Sequence, residues 1–244
     1  MFLKRIIKDI IAFISLLFPR QKRASVLMYH SIGNDNTLLA VKLENFKKQM
    51  KYLKDNNYRV ISLNNLVEIL KTKKDLPKKT IVLTFDDGFE NNYINAFSVL
   101  KEYNFPVTIF LTVGSIGEKV VTSQGNFPAL NWDEIKEMHD SGLIDFQPHT
   151  MTHPKLDQIT LKEIKLEIIQ SKKIIEEKLN KKCYFFAPPK GRFSQEIKEV
   201  LKVEGFKAVL TIEKGLIKKN DDLFSLKRRA VNSTTSFIQF KANL

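Results

Sequence analysis

Two short runs in this 244-residue chain hold side chains whose types and spacing suit metal-assisted hydrolysis: TFDDG at 84–88 and HTMTHP at 149–154. Two adjacent carboxylates repel each other, and a nearby cation lets both stay ionised while one binds metal and the other transfers protons. Two histidines four residues apart can direct ring nitrogens at one point, and neutral imidazole is a common ligand of zinc and related divalent ions. One Asp and two His leave coordination positions open, as catalytic metal sites do.

Each run alone also has an ordinary structural explanation. An isolated Asp-Asp-Gly is usually a turn, and an isolated His-x3-His is more often a pair of surface histidines than a metal site. Here both runs follow apolar, strand-like segments, 81–83 and 144–146. The carboxyl ends of such strands are where α/β barrels place their chemistry, so the two runs together favour a catalytic metal site.

Strand-like and helix-like segments alternate from residue 25 onward. The predicted strands are 26–29, 58–61, 80–85, 107–111, 143–146, 183–186, 206–211 and 226–231. The predicted helices are 44–56, 63–71, 92–103, 133–141, 161–179 and 194–203. This alternation predicts parallel strands with crossover helices, closed into a barrel of about seven or eight strands. The segment 114–128 is predicted to be a loop that covers the site.

Composition predicts one folded domain with a basic N-terminal arm. The chain is 43% hydrophobic with 18 Phe, which is typical of a globular protein, and we assign the domain to residues 24–244. Residues 1–23 carry six Lys or Arg and one Asp, a substantial part of the formal net charge of +13. Such an excess indicates an anionic partner, but no nucleic-acid-binding motif is present and nucleic acid is not predicted.

The N-terminal arm is predicted to lie on a membrane surface. Its apolar run, 10–18, is far shorter than the roughly 20 residues that cross a bilayer, and the sequence after it lacks a small-residue cleavage pattern. Basic residues at both ends of a short apolar helix suit the interface of an anionic membrane, and we expect a peripheral location at the cell envelope. A signal or short anchor and a helix packed on the domain are the alternatives. The single cysteine, Cys183, is predicted to be a buried packing residue.

With these motifs the chain resembles polysaccharide deacetylases of the NodB-homology type, carbohydrate esterase family 4. The TFDDG and His-x3-His runs resemble the first two family motifs, and FAPPKG at 186–191 resembles the third. Met28-Tyr29-His30 and Trp132-Asp133 are similar to parts of the subgroup that includes poly-N-acetylglucosamine deacetylases. The resemblance implies a bacterial enzyme with an incomplete or distorted (β/α)7 barrel.

The resemblance also implies roles for the polar residues of the first two motifs. Asp86 becomes the general base, which takes a proton from the attacking water, while Asp87, His149 and His153 hold one divalent ion. Zinc is the default for such a ligand set, with cobalt, nickel, manganese or iron as alternatives.

Substrate contacts are expected from the third motif and from the only tryptophan. A backbone N–H near Pro189 and Lys190 is expected to stabilise the oxyanion together with the ion. Trp132 is expected either to stack on a sugar or to form a wall of the acetyl pocket, with ordinary core packing as the alternative.

The leaving amine needs a general acid, and many family members take it from a histidine in a C-terminal strand motif. No histidine follows His153 in this chain. His30 ends the apolar strand 26–29, and the first and last strands of a barrel are neighbours, so we predict His30 as the acid. The alternative is a strand-end histidine that only orders a loop. His139, in a predicted helix, is interpreted as structural.

One departure from the family pattern affects the general base. Many relatives carry an Arg in the third motif that pairs with the base Asp, and here Ala187 or Pro188 occupies that place. We therefore expect the pKa of Asp86 to be less depressed than in those relatives, unless Lys190 or Arg192 reaches it.

The predicted activity is metal-dependent removal of N-acetyl groups from an amino sugar in an envelope polysaccharide or a lipid-linked glycan. Poly-N-acetylglucosamine, peptidoglycan, a lipopolysaccharide sugar and a lipid-linked sugar all remain candidates, because sugar contacts lie on variable loops. A noncatalytic carbohydrate-binding relative, or a deacylase or deformylase of a lipid-linked amino sugar, is the alternative.

Overall fold

A computed structural model describes residues 2–16, 22–191 and 194–244. The α-helices in these ranges are α1 (Phe2–Leu16), α2 (Leu43–Asp55), α3 (Leu63–Lys71), α4 (Ser98–Tyr103), α5 (Trp132–Asp140), α6 (Leu161–Leu179), α7 (Gln195–Val203) and α8 (Phe237–Asn243). The strands are β1 (Ala24–Tyr29), β2 (Ser31–Ile32), β3 (Ala40–Val41), β4 (Arg59–Val60), β5 (Thr80–Asp87), β6 (Val107–Leu111), β7 (Lys119–Thr122), β8 (Gly125–Pro128), β9 (Ile144–Pro148), β10 (Phe185–Phe186), β11 (Ala208–Lys214) and β12 (Leu226–Ala230). A π-helix, Asn92–Phe97, leads into α4.

Seven parallel strands form a nearly closed barrel in the order β10, β11, β12, β1, β5, β6, β9. The first strand, β1, pairs with β12 on one side and with β5 on the other, so the two ends of the domain meet. β4 pairs with the first residues of β5, next to where β6 begins its own pairing. The prediction of an incomplete (β/α)7 barrel is confirmed.

The barrel has one unsealed seam, between β9 and β10, where no backbone ladder joins the strands within the described chain. A side chain spans this seam instead. The Gln147 side-chain oxygen accepts hydrogen bonds from the backbone N–H groups of Tyr184 and Phe185, each at 2.9 Å. Gln147 also donates to Asp145 at 2.9 Å, which fixes the orientation of its amide. One glutamine thus supplies the acceptor that a neighbouring strand would otherwise provide.

Strand alternation separates two apolar layers. Along β5 every residue is buried, and Ile81, Leu83 and Phe85 pack in the larger core shared with the helices. Val82 lies in a second cluster with side chains of the same inner face from β6 and β11, Phe110 and Leu210. Successive residues of a strand point to opposite faces, so the inner face of β5 continues from Val82 to the buried Thr84 and Asp86.

Most predicted elements are present within a few residues. The bounds predicted for α3, β6 and α6 match the structure. Helix α6 begins with a capping box in which Thr160 and Glu163 satisfy each other's backbone N–H groups. The prediction for 114–128 is wrong in form, because this segment contains the antiparallel hairpin β7–β8 rather than an irregular loop. Cys183 is buried as predicted, and burial raises the pKa of its thiol to about 12.

The N-terminal arm begins as helix α1, which contacts α8. Ala12 is buried, whereas Ile10 and Phe13 are exposed. None of the described helices is long and apolar enough to span a bilayer. Residues 17–21, the rest of the predicted apolar and basic arm before residue 22, lie outside the described residues.

Because Gln147 joins the two strands at the seam, we expect the stability of the fold to depend on its side chain. Gln147→Met keeps the length of the side chain but leaves two backbone N–H groups at the seam without an acceptor, so we expect a loss of about 2–4 kcal/mol in the free energy of unfolding. Urea denaturation measures this change in the free energy of unfolding. Gln195→Met, at an exposed position on α7, is the matched control and should change the free energy by less than about 0.5 kcal/mol. An equal effect of both substitutions would contradict the role of Gln147.

Candidate active site

The two carboxylates of the first run lie at the carboxyl end of β5. Asp86 and Asp87 are both buried, and both pair with β6 through their backbones. A regular strand would send adjacent side chains to opposite faces. Asp87 instead has φ of 75° and Gly88 follows with φ of 84°, so the strand ends in a left-handed turn. A Cβ at Gly88 would lie 2.7 Å from Leu111 Cδ2, which adds a steric reason for glycine.

Asp87, His149 and His153 converge on one point. The Nε2 atoms of His149 and His153 lie 3.5 and 3.4 Å from Asp87 Oδ1. One ligand atom from each residue lies within 4.8 Å of the others, so a single ion can contact all three. The structure therefore brings together the three residues predicted as metal ligands.

The hydrogen bonding of His149 shows which kind of ligand the site formed by Asp87, His149 and His153 suits. His149 Nδ1 lies 2.6 Å from the backbone oxygen of Ala187, which only accepts, so Nδ1 carries the proton. Burial lowers the pKa of His149 to about 3, so the ring is neutral and Nε2 presents a lone pair. That lone pair faces a carboxylate oxygen of Asp87 with no proton between them. A cation satisfies both groups, and this donor set fits a divalent metal ion.

The raised pKa of Asp87 also favours a cation at this site. The pKa of Asp87 is raised to about 6, chiefly by burial and also by the charge of Asp86, although His30 and Arg228 oppose the shift. A positive ion beside Asp87 would reverse this penalty, because it stabilises the carboxylate form.

Asp86 has a different partner, the fully buried Arg228 on β12. The Nη1 and Nη2 groups of Arg228 donate hydrogen bonds to Asp86 Oδ1 and Oδ2 at 2.7 and 2.8 Å, which makes a bidentate ion pair. Burial opposes ionisation of Asp86, but the charge and hydrogen bonds of Arg228 hold the pKa of Asp86 at about 2. The expectation of a less depressed pKa is wrong, because a cation from β12 pairs with Asp86 although the third motif has none.

The loop that carries the histidines is fastened to helix α6. Glu167 accepts hydrogen bonds from the backbone N–H groups of Met151 and Thr152, at 2.8 and 2.9 Å, and from the Thr152 hydroxyl at 2.7 Å. Thr150 and His153 both have positive φ, and the Thr150 hydroxyl accepts from the N–H of His153. Such conformations persist only where surrounding contacts enforce them, and Glu167 supplies those contacts.

A cleft of about 470 Å³ opens over the two carboxylates and the two histidines. His30 lies on its wall one residue after β1, and Asn92 donates to the His30 backbone oxygen at 2.7 Å. Lys190 also lines the cleft, with φ of 56°.

The hairpin β7–β8 forms another wall of this cleft, through residues 119–124. The tip of the hairpin is hydrogen-bonded to residues 37 and 38. Gln124 accepts hydrogen bonds from the Thr37 hydroxyl at 2.9 Å and from the backbone N–H of Leu38 at 2.5 Å. The part of the prediction that placed 114–128 beside the site therefore agrees with the structure.

Two of the predicted substrate residues do not line the cleft. Trp132 lies in the first turn of α5, packs against the larger core, and has Lys178 Nζ 5.6 Å from its ring centroid. Pro189 is buried. Neither is among the residues that line the cleft. This packing corresponds to the alternative given for Trp132, and its contact with a sugar stays a prediction. Arg192, the other proposed partner of Asp86, lies outside the described residues.

Comparison with known proteins identifies the family. The model of the polysaccharide deacetylase family matches residues 73–209, more than half of the chain and both motifs of the site. The chain is a member of the polysaccharide deacetylase family. It is 31% identical over 217 residues to the Bacillus subtilis protein YxkH, a match that covers 89% of this chain and 74% of that protein.

Two further relatives refine the placement of this deacetylase. It is 26% identical over 227 residues to poly-beta-1,6-N-acetyl-D-glucosamine N-deacetylase of Staphylococcus aureus, covering 88% of this chain and 77% of the relative. The Streptococcus pyogenes deacetylase PplD, solved in complex with acetate, superposes with a TM-score of 0.80 at 27% identity, covering 91% of this chain and 98% of PplD.

IcaB from Ammonifex degensii gives the same TM-score of 0.80 at 26% identity, with 91% and 96% coverage. These relatives make the protein a carbohydrate N-deacetylase, a hydrolase of the amide bond that links an acyl group to an amino sugar.

Sequence reasoning missed two residues of this deacetylase, Arg228 and Glu167. The available signal for Arg228 is strand alternation, because it lies two residues after Leu226 and therefore on the same face of β12, in the middle of the strand. Glu167 has no such signal. It is one of several charged residues along the amphipathic helix α6, and only the fold shows which backbone it faces.

The buried pair of Asp86 and Arg228 generates a stability prediction. Arg228→Met leaves the Asp86 carboxylate buried without a counter-charge, so we expect the free energy of unfolding to fall by about 3–5 kcal/mol. The double substitution Asp86→Asn with Arg228→Met should recover part of that loss, because no unpaired charge remains. Arg59→Met, at an exposed position on β4, is the control. Calorimetry at neutral pH measures all three, and a loss below about 1 kcal/mol for Arg228→Met would place the pair among weak surface interactions.

Proposed function

We propose that this deacetylase uses one divalent metal ion to remove N-acetyl groups from an amino sugar of an envelope polysaccharide or a lipid-linked glycan. The observation that carries the proposal is the pair of facing lone pairs, His149 Nε2 and Asp87 Oδ1, with His153 Nε2 beside them. Zinc suits two imidazoles and one carboxylate, and cobalt, nickel, manganese or iron suit the same ligands.

The ionised Asp86 acts as general base. The bidentate contact with Arg228 keeps this carboxylate ionised and fixes its orientation at the floor of the cleft. A carboxylate of low pKa is a weak base, so it needs an acidified water. A divalent cation held by Asp87, His149 and His153 would supply that acidity and would polarise the acetyl carbonyl. Asp86 then accepts a proton from this water while Arg228 retains its own.

His30 acts as general acid. It lines the same cleft as Asp86 and Asp87, which places it near the reacting centre. The hydrogen bond from Asn92 to its backbone oxygen holds the turn after β1. An amide nitrogen departs only after protonation, and His30 supplies a proton from outside the metal ligands.

The relatives support acetyl as the acyl group and a glycan as the substrate. One has acetate bound in its solved structure, and another is named for deacetylation of poly-beta-1,6-N-acetyl-D-glucosamine. Both lines of support come from those proteins, and we extend them to this chain because the family motifs lie in one cleft here. Envelope polymers and membrane-bound sugars lie at the cell envelope, so we propose that compartment for the protein.

Acetate release from a panel of substrates tests the proposal. We expect the zinc-loaded protein to release acetate from at least one of β-1,6-linked N-acetylglucosamine oligomers, peptidoglycan fragments, an N-acetylated lipopolysaccharide sugar or a lipid-linked N-acetylated sugar. Asp86→Asn should keep the metal and lose at least about 10²-fold in kcat, whereas Asp87→Ala should lose metal and activity together. Mass spectrometry of the released acid separates deacetylation from deformylation, and elemental analysis reports the metal.

His139→Ala is the matched control, because His139 lies on α5 and is not among the residues lining the cleft. It should retain metal and activity. Stoichiometric zinc without release of any acid across the panel would favour the noncatalytic binding alternative. Turnover that survives chelation would refute metal dependence.

The role of His30 generates a separate kinetic prediction. His30→Ala should lower kcat on an N-acetylated sugar by about 10²–10⁴-fold, because the amine then leaves without a proton. An aryl acetate ester, whose phenolate leaves without protonation, should be hydrolysed at close to the unsubstituted rate by the same variant. A kcat within about threefold of the unsubstituted protein on the amide would remove His30 from the mechanism.

A further inference from the structure

Helix α1 exposes an apolar face. Six large side chains with described positions are between 38% and 61% exposed: Ile6, Ile7, Ile10, Ile11, Phe13 and Ile14. Successive residues of an α-helix are about 100° apart, which places all six in one sector of roughly 160°. Ala12, the buried residue of the helix, lies opposite the centre of that sector. We call these six residues the apolar face of α1.

The opposite, more polar side of α1 attaches the helix to the domain. Asp9 Oδ1 accepts hydrogen bonds from the Ser236 hydroxyl and from Gln239 Nε2 of α8, each at 2.6 Å. Ser236 is also the N-cap of α8. The helix is therefore reversed relative to an ordinary surface helix, which packs its apolar stripe inward and shows polar residues to water. Asp9 and Ala12 fix the direction in which the apolar face points.

Such a contiguous apolar patch is a marker of an interaction surface. Covering apolar surface is favourable in proportion to the area removed from water, so six neighbouring large side chains provide a driving force for association. The exposed apolar residues of α1 cover one sector of the helix, while on the other side Ala12 is buried and Asp9 accepts hydrogen bonds from α8. A helix with one apolar side suits the plane of a membrane interface.

Basic residues beside α1 indicate that the membrane it contacts is anionic. Between α1, α8 and the ends of β11 and β12 lies a cleft of about 600 Å³, which we call the basic cleft. Lys8, Lys214 and Arg229 line it, and no Asp or Glu is among its lining residues. Arg229 also donates to the backbone oxygen of Ala242, which holds its charge in place. Lipid phosphates are the anions that a membrane surface offers to such a cleft.

We propose that α1 lies in the interface of an anionic bilayer, with its apolar face among the acyl chains and the basic cleft over lipid phosphates. This surface is independent of the proposed catalytic chemistry. Its consequence for substrate choice rests on the proposed function, because Ile212 lines both the basic cleft and the catalytic cleft. Attachment through α1 brings the catalytic cleft close to the membrane, where glycans that are still tethered to lipid are within reach.

Vesicle flotation of the full chain tests the surface. The unsubstituted protein should float with phosphatidylglycerol vesicles, bind phosphatidylcholine vesicles at least about tenfold more weakly, and lose affinity as salt increases. Ile10→Glu combined with Phe13→Glu should lower the affinity for phosphatidylglycerol at least about tenfold. Val203→Glu is the matched control, because Val203 is 84% exposed at the end of α7. Lys8→Glu combined with Lys214→Glu should weaken binding to the anionic vesicles only.

Circular dichroism and acetate release from a soluble oligosaccharide accompany every variant. Both should be unchanged, so a loss of vesicle binding is separable from misfolding and from a failure of the proposed activity. Absence of binding by the unsubstituted protein, or equal binding by the Ile10 and Phe13 variant, would overturn the proposal. A dimer in light scattering that this variant converts to a monomer, without vesicle binding, would assign the apolar face to a second copy of the chain and overturn it as well.

Discussion

Two negative charges placed next to each other in a buried site constrain the rest of this active site. Asp86 and Asp87 are adjacent in the chain, and water cannot screen their repulsion there. Arg228 neutralises one of them through two hydrogen bonds. The other, Asp87, faces neutral imidazole lone pairs and has a raised pKa, and a bound cation would satisfy both groups. In the mechanism we propose, the roles of base and ligand follow from which carboxylate the protein pairs internally.

The barrel brings strands that are distant in sequence to one edge, where their polar residues meet the two carboxylates. Asp86 comes from β5, Arg228 from β12, His149 from the end of β9, and His30 from the end of β1. Because β1 lies between β12 and β5, Asp86, Arg228 and His30 come from three neighbouring strands, while His149 and His153 follow β9 near the seam. Glu167 and Gln147 then hold the loop and the seam in place with side-chain acceptors where regular backbone pairing is absent.

Residues close together in sequence were predictable, whereas residues that meet only through the fold were not. The metal ligands and Asp86 lie in two compact motifs, and the long amphipathic pattern of 161–179 defines α6 without any tertiary information. Arg228 lies 142 positions from Asp86, so the pair becomes visible only when β12 is placed beside β1. The hairpin at 119–128 was missed because its short strands enclose polar turn residues. Residue type alone does not reveal that Trp132 packs against the larger core and does not line the cleft.

The position of Arg228 near the C-terminus also bears on how the enzyme is made. A ribosome adds residues from the N-terminus, and β5 leaves it long before β12. Until β12 docks beside β1, Asp86 has no counter-charge and the barrel lacks the strand that carries it. Asp86, the proposed general base, therefore acquires its counter-charge only after the last barrel strand has been synthesised. Chains released before β12 lack this pair, so the electrostatic environment of Asp86 depends on completion of the barrel.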